Sequence, residues 1–372
     1  MFFILTCKHI IFSIYDSNIP NFTYEKKQYH DTLYVTNIGF RLKGKYINSE
    51  GGNVKFRDIK KCYILLDFNN IVWRTYHATI KQNMVNDDGI NVGFIVGFFK
   101  VLAFAINMAK KNGAYPKLII AEDRVPTRKR ELYANNQHLF MDRKPDRNWD
   151  GKSPKLRIKY KGNRPSKLDI GYNPIEICRE FTSCIEHTLI YKDGEEADDV
   201  IASYVHNNWQ GNDIMLFSTD KDLWQLLRWP IKIYGQTNDQ ITFKDIHEHF
   251  AGTSNILLHK MITGDAGDNV KGVLRFPFKS TLSSFKRCDG TLNGFARCLE
   301  EDGKDKARSL LIRNIKLIQF NWQIVHLRVT LDYTKKHFPI EETSVDVRSK
   351  WVQLCSKYQV PSLRNSAFID IF

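Results

Sequence analysis

Three short apolar runs constrain this chain more than any other feature. Tyr63-Ile64-Leu65-Leu66 stops at Asp67, Leu118-Ile119-Ile120-Ala121 stops at Glu122-Asp123, and Ile214-Met215-Leu216-Phe217 stops at Ser218-Thr219-Asp220. Runs of about four apolar residues without alternation suit strands buried on both faces, as in parallel sheets. Helical stretches alternate with them: residues 91–111 lie between the first two runs, and residues 196–208 precede the third. That βαβ order predicts a doubly wound, mainly parallel α/β domain. In such sheets ligands bind beyond the carboxyl ends of the strands, and all three runs end there in a carboxylate.

The acidic residues near these ends form a larger set: Asp67, Asp123, Glu196, Asp198, Asp199, Asp220, Asp222, Asp265 and Asp268. Each has an innocent reading. Asp67 and Asp220 are placed to cap helices, Glu196, Asp198 and Asp199 open a helix whose dipole favours negative charge, and Asp265 and Asp268 lie in a Gly-rich turn. Together they are harder to dismiss, because the chain as a whole carries 55 Lys and Arg against 41 Asp and Glu. A carboxylate cluster repels itself unless cations compensate, and an all-oxygen ligand set selects hard ions such as Mg²⁺ or Mn²⁺ over zinc. Two such ions about 3.5–4 Å apart can activate water and stabilise the leaving oxygen of an in-line displacement. An acidic pocket inside a basic protein is what phosphodiester hydrolysis requires.

Most of the positive excess is concentrated. Residues 124–167 hold fourteen Lys or Arg and four Asp or Glu, with Tyr133, Phe140, Trp149 and Tyr160 interleaved. Charge with stacking rings predicts contact with single-stranded nucleic acid; the bland alternative is a solvated loop. Within it, Tyr160-Lys161-Gly162-Asn163-Arg164 places an ammonium and a guanidinium three residues apart, suited to gripping a scissile phosphate.

Other classes find little support. The seven cysteines include no CxxC pair, which argues against both a zinc ribbon and a disulfide framework. The longest apolar stretch, Val92 to Ala109, is broken by Lys100 and Asn107 and reads as a buried core helix stopped by Asn112-Gly113. Met1 to Tyr15 is apolar but carries Lys8 and His9 and offers no small-residue cleavage site, so a cytoplasmic protein is expected. Residues 1–60 show no periodicity and no motif. An appended strand-rich segment, a flexible arm and an upstream stretch admitted by a wrong start codon all remain open.

In this order, the motifs resemble the structure-specific 5′ nucleases: phage 5′-exonucleases, the 5′-nuclease domains of bacterial DNA polymerases, and flap endonucleases. The ribonuclease H branch of T-even phages looks most similar. The resemblance covers roughly residues 62–285. It makes Leu66-Asp67-Phe68-Asn69-Asn70 the first-strand motif, with Asp67 a metal ligand, and Arg74 a phosphate contact. Asp123 is the ligand at the second strand end. Glu196-Ala197-Asp198-Asp199 continuing into Ser218-Thr219-Asp220-Lys221-Asp222 is the most specific match. Gly264-Asp265-Ala266-Gly267-Asp268-Asn269-Val270 resembles the turn opening a helix-hairpin-helix element. Lys161 and Arg164 would then act on the scissile phosphate, with Tyr160, Arg128, Arg130, Lys271 and Lys279 also on the nucleic-acid surface. Two departures stand out: Asp123 and Tyr160 lie unusually far apart, with Tyr133-Ala134-Asn135-Asn136 a degenerate competitor, and the stretch from Gly272 to Lys279 lacks the usual glycine-rich hairpin.

The resemblance implies a PIN-like nuclease core over residues 61–250, with the basic arch at 124–167, and a helical DNA-binding region over 251–372. It implies a Mg²⁺-dependent 5′-3′ exonuclease or flap endonuclease with two ions, Mn²⁺ substituting, that acts on DNA and RNA–DNA hybrids during primer removal. A single-strand-binding protein and a sliding clamp are the partners expected by analogy. Three rivals compete. A haloacid-dehalogenase-type phosphatase wants an Asp where Asn69 stands and gives Glu196-Ala197-Asp198-Asp199 no role. A PIN-like endoribonuclease shares the acidic sheet edge but lacks the helical C-terminal region, and a non-catalytic nucleic-acid scaffold leaves the acidic set unexplained.

Overall fold

The computed structural model describes residues 60–153, 157–163, 170–235, 239–250, 252–339, 344–364 and 371. Apart from short strand pairs such as Leu33–Thr36 with Gly39–Leu42, residues 1–59 lie outside that description, and so does Arg164.

All three apolar runs are strands of one seven-stranded sheet. They form β1 (Lys61–Asp67), β2 (Tyr115–Ala121) and β4 (Asp213–Phe217), joined by β3 (His187–Tyr191), β5 (Lys232–Tyr234), β6 (Gln240–Ile241) and β7 (Thr334–Phe338). The order across the sheet is β6-β5-β4-β1-β2-β3-β7. The five inner strands are parallel, and each edge strand is antiparallel to its neighbour. From β1 the chain fills one side with β2 and β3, then returns to build β4 and β5 on the other. The switch point therefore falls at β1, where doubly wound sheets open a crevice for ligands.

Strand pleating distributes the runs between two cores. Ile64, Leu66, Leu118, Ile120, Met215 and Phe217 point to one face, against α1 (Phe68–Thr79), α2 (Gly93–Lys111) and α4 (Pro174–Thr182). Leu65, Ile119, Ala121, Ile214 and Leu216 point to the other, against α5 (Ala197–Asn208) and the 3₁₀ helix Lys221–Arg228. In α1 the buried residues Phe68, Ile71, Val72, Thr75 and Tyr76 recur at helical spacing, which gives it one apolar stripe. α2 is long and apolar enough to pass for a membrane span by composition, but most of it is buried inside the fold. It is the expected core helix, capped at Asn112 and followed by Gly113 at φ +69°.

The basic segment folds against the body. α3 (Thr127–Asn135) and a short 3₁₀ turn at Gln137–Phe140 lead into an irregular stretch. Tyr133, Phe140, Ile158 and Tyr160 are buried together with Leu317, Phe320 and Ile324 of α11 (Ile315–Val325). This corrects the expectation that the interleaved rings stack on bases. Three of the four serve as core, because an apolar face of α11 needs covering. Trp149 alone stays half-exposed, with the Arg157 guanidinium 5.8 Å from its ring.

From α6 (Phe243–Phe250) onward the chain is largely helical, as expected, with α7 (Thr253–Thr263), α8 (Leu282–Arg287), α9 (Leu292–Glu301) and α10 (Asp305–Arg313) sharing a core around Phe285 and Phe295. Two of its elements nevertheless return to the α/β unit. β7 completes the sheet beside β3, and α12 (Ser344–Lys357) buries Trp351 edge-on against Phe99 and Phe181, with centroids 5.0 and 5.3 Å away.

Candidate active site

The carboxyl ends of β1, β2 and β4 meet the N-terminus of α5 at the switch point. Asp67 ends β1, and its Oδ2 accepts a hydrogen bond from the buried Ser218 hydroxyl at 2.7 Å. Asn70, one turn into α1, accepts from the Thr219 backbone and hydroxyl at 3.0 and 2.9 Å. These bonds staple β1 to β4 across the crevice. Asp123 accepts from the Ala197 N–H at 2.8 Å, which ties β2 to the start of α5. Its neighbour Glu122 is buried in ion pairs with Arg124 and Arg179, both at 2.5 Å, so Asp123 is the carboxylate left for the rim. Asp220 accepts from the Asp222 N–H at 2.8 Å, capping the 3₁₀ helix.

The acidic residues act on one another. Burial and the nearby Asp123 and Asp220 carboxylates push the Asp67 carboxyl up to about 8. Burial, Asp220 and Asp265 push Asp222 up to about 7. Burial, with Asp199, Glu196 and Asp220 close by, raises Asp198 well above the usual carboxylate range. The Asp220 carboxylate acts on all three of these groups, which places it at the hub of the cluster.

Lysines fill the intervals between these acids. Lys129 of α3 is buried, with Nζ 2.6 Å from Glu196, 3.5 Å from Asp199 and 3.9 Å from Asp198. Burial opposes its charge, yet the three carboxylates hold the ammonium well above its ordinary range. Lys161 contacts Glu196 and lies 3.6 Å from Asp268. Against the opposing effect of burial, Lys129 and Lys161 draw the Glu196 carboxyl down to about 2. Lys260 of α7 joins Asp222 to Asp265, the latter at 2.7 Å. Among the described residues no three acids stand at coordination distance about one point. The donor set is nonetheless all carboxylate oxygen, the chemistry that hard divalent ions require.

The turn Gly264–Val270 closes the site from the C-terminal side. Gly264 adopts φ +74°, and a Cβ there would meet the Val270 carbonyl at 2.2 Å; on Gly272 it would meet the Thr263 carbonyl at 2.1 Å. Only glycine allows the two-residue ribbon Gly264–Asp265 with Val270–Lys271 to close. The Tyr160 hydroxyl bridges Glu196 and Asp268 at 2.7 Å to each, and the Lys161 N–H donates to the Asp268 carbonyl at 2.9 Å. Tyr160-Lys161 thus reaches the acids, whereas the hydroxyl of the competitor Tyr133 donates to the Asn269 carbonyl at 3.2 Å. A cleft of about 480 Å³ opens beside the cluster, lined in part by Asp220, Asp222, His259, Lys260, Asp265 and Asp268.

Some expected roles change. Arg128 was expected on the nucleic-acid surface, but its guanidinium faces inward, with Nε 2.9 Å from both Glu195 oxygens and Nη2 3.5 Å from Asp199. Tyr160 is likewise buried and turned to the acids. Asp199 is fully buried and accepts from the Arg328 N–H at 2.9 Å, so it anchors α5 to the chain beyond α11. Lys271 is half-buried, 3.9 Å from Asp146. Arg74 sits close enough to act on the Asp67 charge, and donates to the Gly235 carbonyl at 2.9 Å. Arg130 and Lys279 are exposed. The stretch lacking the usual hairpin glycines carries Arg275 at φ +57°, a left-handed conformation on a non-glycine residue. Lys129, Lys260, Ser218 and Asn70 were missed, since no motif marks a lysine that is buried only through tertiary contacts. Ser218 and Asn70 lie within the strand-end motifs, and their polarity beside a metal-ligand candidate is the available signal.

A doubly wound sheet with an acidic rim at its switch point, inside a basic body, is the arrangement expected of an α/β nuclease. Comparison with known proteins agrees. Residues 62–251 match the family model described as the 5′-3′ exonuclease N-terminal resolvase-like domain. The chain belongs to the 5′-3′ exonuclease family, a family of phosphodiesterases. A 5′-3′ exonuclease of Buchnera aphidicola subsp. Acyrthosiphon pisum is 27% identical over 311 residues, 81% of this chain and 96% of that protein. DNA polymerase I of Borreliella burgdorferi is 26% identical over 317 residues, 82% of this chain, and the chain spans only 32% of that polymerase's length. Among solved structures, the T5 D15 protein co-crystallised with metal ions shares the fold at a TM-score of 0.50 and 17% identity, covering 83% of this chain and all of that one.

Proposed function

We propose that the chain hydrolyses phosphodiester bonds near the 5′ ends of DNA and of RNA–DNA hybrids, as an exonuclease and flap endonuclease, with two Mg²⁺ ions for which Mn²⁺ can substitute. The meeting of the β1, β2 and β4 carboxyl ends at the start of α5, beside a cleft lined by Asp220, Asp222, Asp265 and Asp268, carries this reading. Bound divalent ions would supply water activation and charge neutralisation at the leaving oxygen. Asp67, Asp123, Glu196, Asp198, Asp220 and Asp222 would hold them, with Asp265 and Asp268 closing the site from the turn and Asp199 acting at one remove, since its oxygens face Arg328, Arg128 and Lys129.

The other side chains orient and neutralise. Ser218 and Asn70 hold the β1 and β4 ends in register. Lys161 presents an ammonium at the acids, from which it can engage the scissile phosphate. Arg164 extends that grip, and Arg74, Arg130, Lys271 and Lys279 offer charge to flanking phosphates. The fold supports a nuclease over the phosphatase, because Glu196 and Asp198 lie inside the cluster rather than apart from it. Cleavage mapping on 5′-labelled flap, nicked and RNA–DNA hybrid substrates tests the proposal. Mg²⁺-dependent cuts within a few nucleotides of the 5′ end, absent with EDTA, are the expected result. Cutting without divalent ions, or on structured RNA alone, would refute it.

A further inference from the structure

Lys260 is paired with two of the acids that would hold the metal ions. It comes from α7, one turn before Gly264, and its side chain is almost wholly buried. Its ammonium joins Asp222, from the 3₁₀ helix after β4, to Asp265, from the closing turn. The other Asp265 oxygen is already held by the Gly267 and Asp268 N–H groups at 2.8 and 3.3 Å. A divalent ion held by Asp222 or Asp265 would compete with Lys260 for their negative charge. The same lysine also lines the 480 Å³ cleft beside the cluster, so its long flexible stem has somewhere to go. Lys129 differs: it is enclosed by Glu196, Asp198 and Asp199 and does not line that cleft.

Resting on the metal-dependent reading above, we propose that Lys260 is a resident counter-cation at the Asp222–Asp265 half of the site, competing with the second divalent ion until nucleic acid draws it away. With the ammonium in place, the two carboxylates are neutralised from within and bind an added cation weakly. A phosphate entering the cleft offers the ammonium another partner. As Lys260 turns towards it, Asp222 and Asp265 are left to take an ion. Substrate and second ion therefore favour each other's binding, and linkage makes that coupling reciprocal. The physical consequence is a site that resists loading its second ion until a polyanion is in place.

Mn²⁺ titration followed by the EPR signal of the free ion tests this on the full chain, without turnover. Wild type is expected to bind one ion tightly and a second at least about tenfold more weakly, a gap equivalent to about 1.4 kcal/mol. Lys260→Met, which keeps the stem and removes the charge, should tighten the second ion about tenfold or more. Lys260→Gln should do the same, which guards against a single misfolded variant, and Lys260→Arg should leave the second ion weak. A duplex oligonucleotide should tighten the second ion in wild type but add little in Lys260→Met. Unchanged or weaker second-ion binding in both neutral variants would overturn the inference while leaving the metal site standing. A wild type that binds no Mn²⁺ at all would overturn both.

Discussion

Five of the acids each have an oxygen fixed by a neutral donor of the scaffold. Asp67 is held by Ser218, Asp123 by the Ala197 N–H, Asp198 by the Asp199 N–H, Asp220 by the Asp222 N–H, and Asp265 by the Gly267 N–H. Such bonds lock a rotamer without neutralising the charge, which is what a site that must trap cations needs. The ion-pairing lysines then keep the assembly foldable, since removing one partner of a buried pair leaves an uncompensated charge. Lys161 differs from the surface lysines of the same segment in touching Glu196 and approaching Asp268. Lys161→Ala should slow single-turnover cleavage by about 10²–10³-fold, the range seen when one transition-state donor is lost. Lys152→Ala, at an exposed position, should change it less than about threefold. Equal effects in quench-flow measurements would reduce the segment to a general electrostatic surface.

At the scale of elements, the ribbon and the strand ends were legible to different degrees. Carboxylates closing apolar runs are visible in any linear reading, because strand burial and strand termination both have local signatures. Asp67, Asp123 and Asp220 fell where that reading placed them. The fate of the aromatic residues at 133, 140 and 160 was not legible, since a ring between basic residues looks alike whether it faces a base or α11. Nor was β7 visible as part of the sheet. Thr334–Phe338 is short and exposed along its length, and its partner β3 lies about 150 residues earlier. The Gly264–Gly272 contact makes a sharper claim. A methyl on Gly272 would overlap the Thr263 carbonyl, so Gly272→Ala should cost about 2–4 kcal/mol of stability through that steric clash. Denaturant unfolding would show it; a loss below about 0.5 kcal/mol would mean that the ribbon is not held as described.

Taken whole, the molecule separates two charges: a basic body suited to a polyanion and an acidic crevice suited to cations. That separation has a pH signature. Asp67 and Asp222 titrate near 8 and 7 in the fold against about 4 in an unfolded chain. Between those values the folded state binds more protons than the unfolded one, so stability falls as pH rises. In EDTA, the melting temperature should therefore drop between pH 6 and pH 8.5, and Mg²⁺ should restore more of it at pH 8.5 than at pH 6. A melting temperature that rises with pH in EDTA would contradict the shared burial of these carboxyls. The most direct test of the account uses Asp220→Asn, which can still cap the 3₁₀ helix through its carbonyl oxygen but removes the charge at the hub of the cluster. Cleavage and binding of a 5′-flap DNA should be measured together in Mg²⁺. Cleavage should slow by at least about a thousandfold with DNA affinity within about threefold of wild type; normal cutting by Asp220→Asn would overturn the assignment of the acidic site.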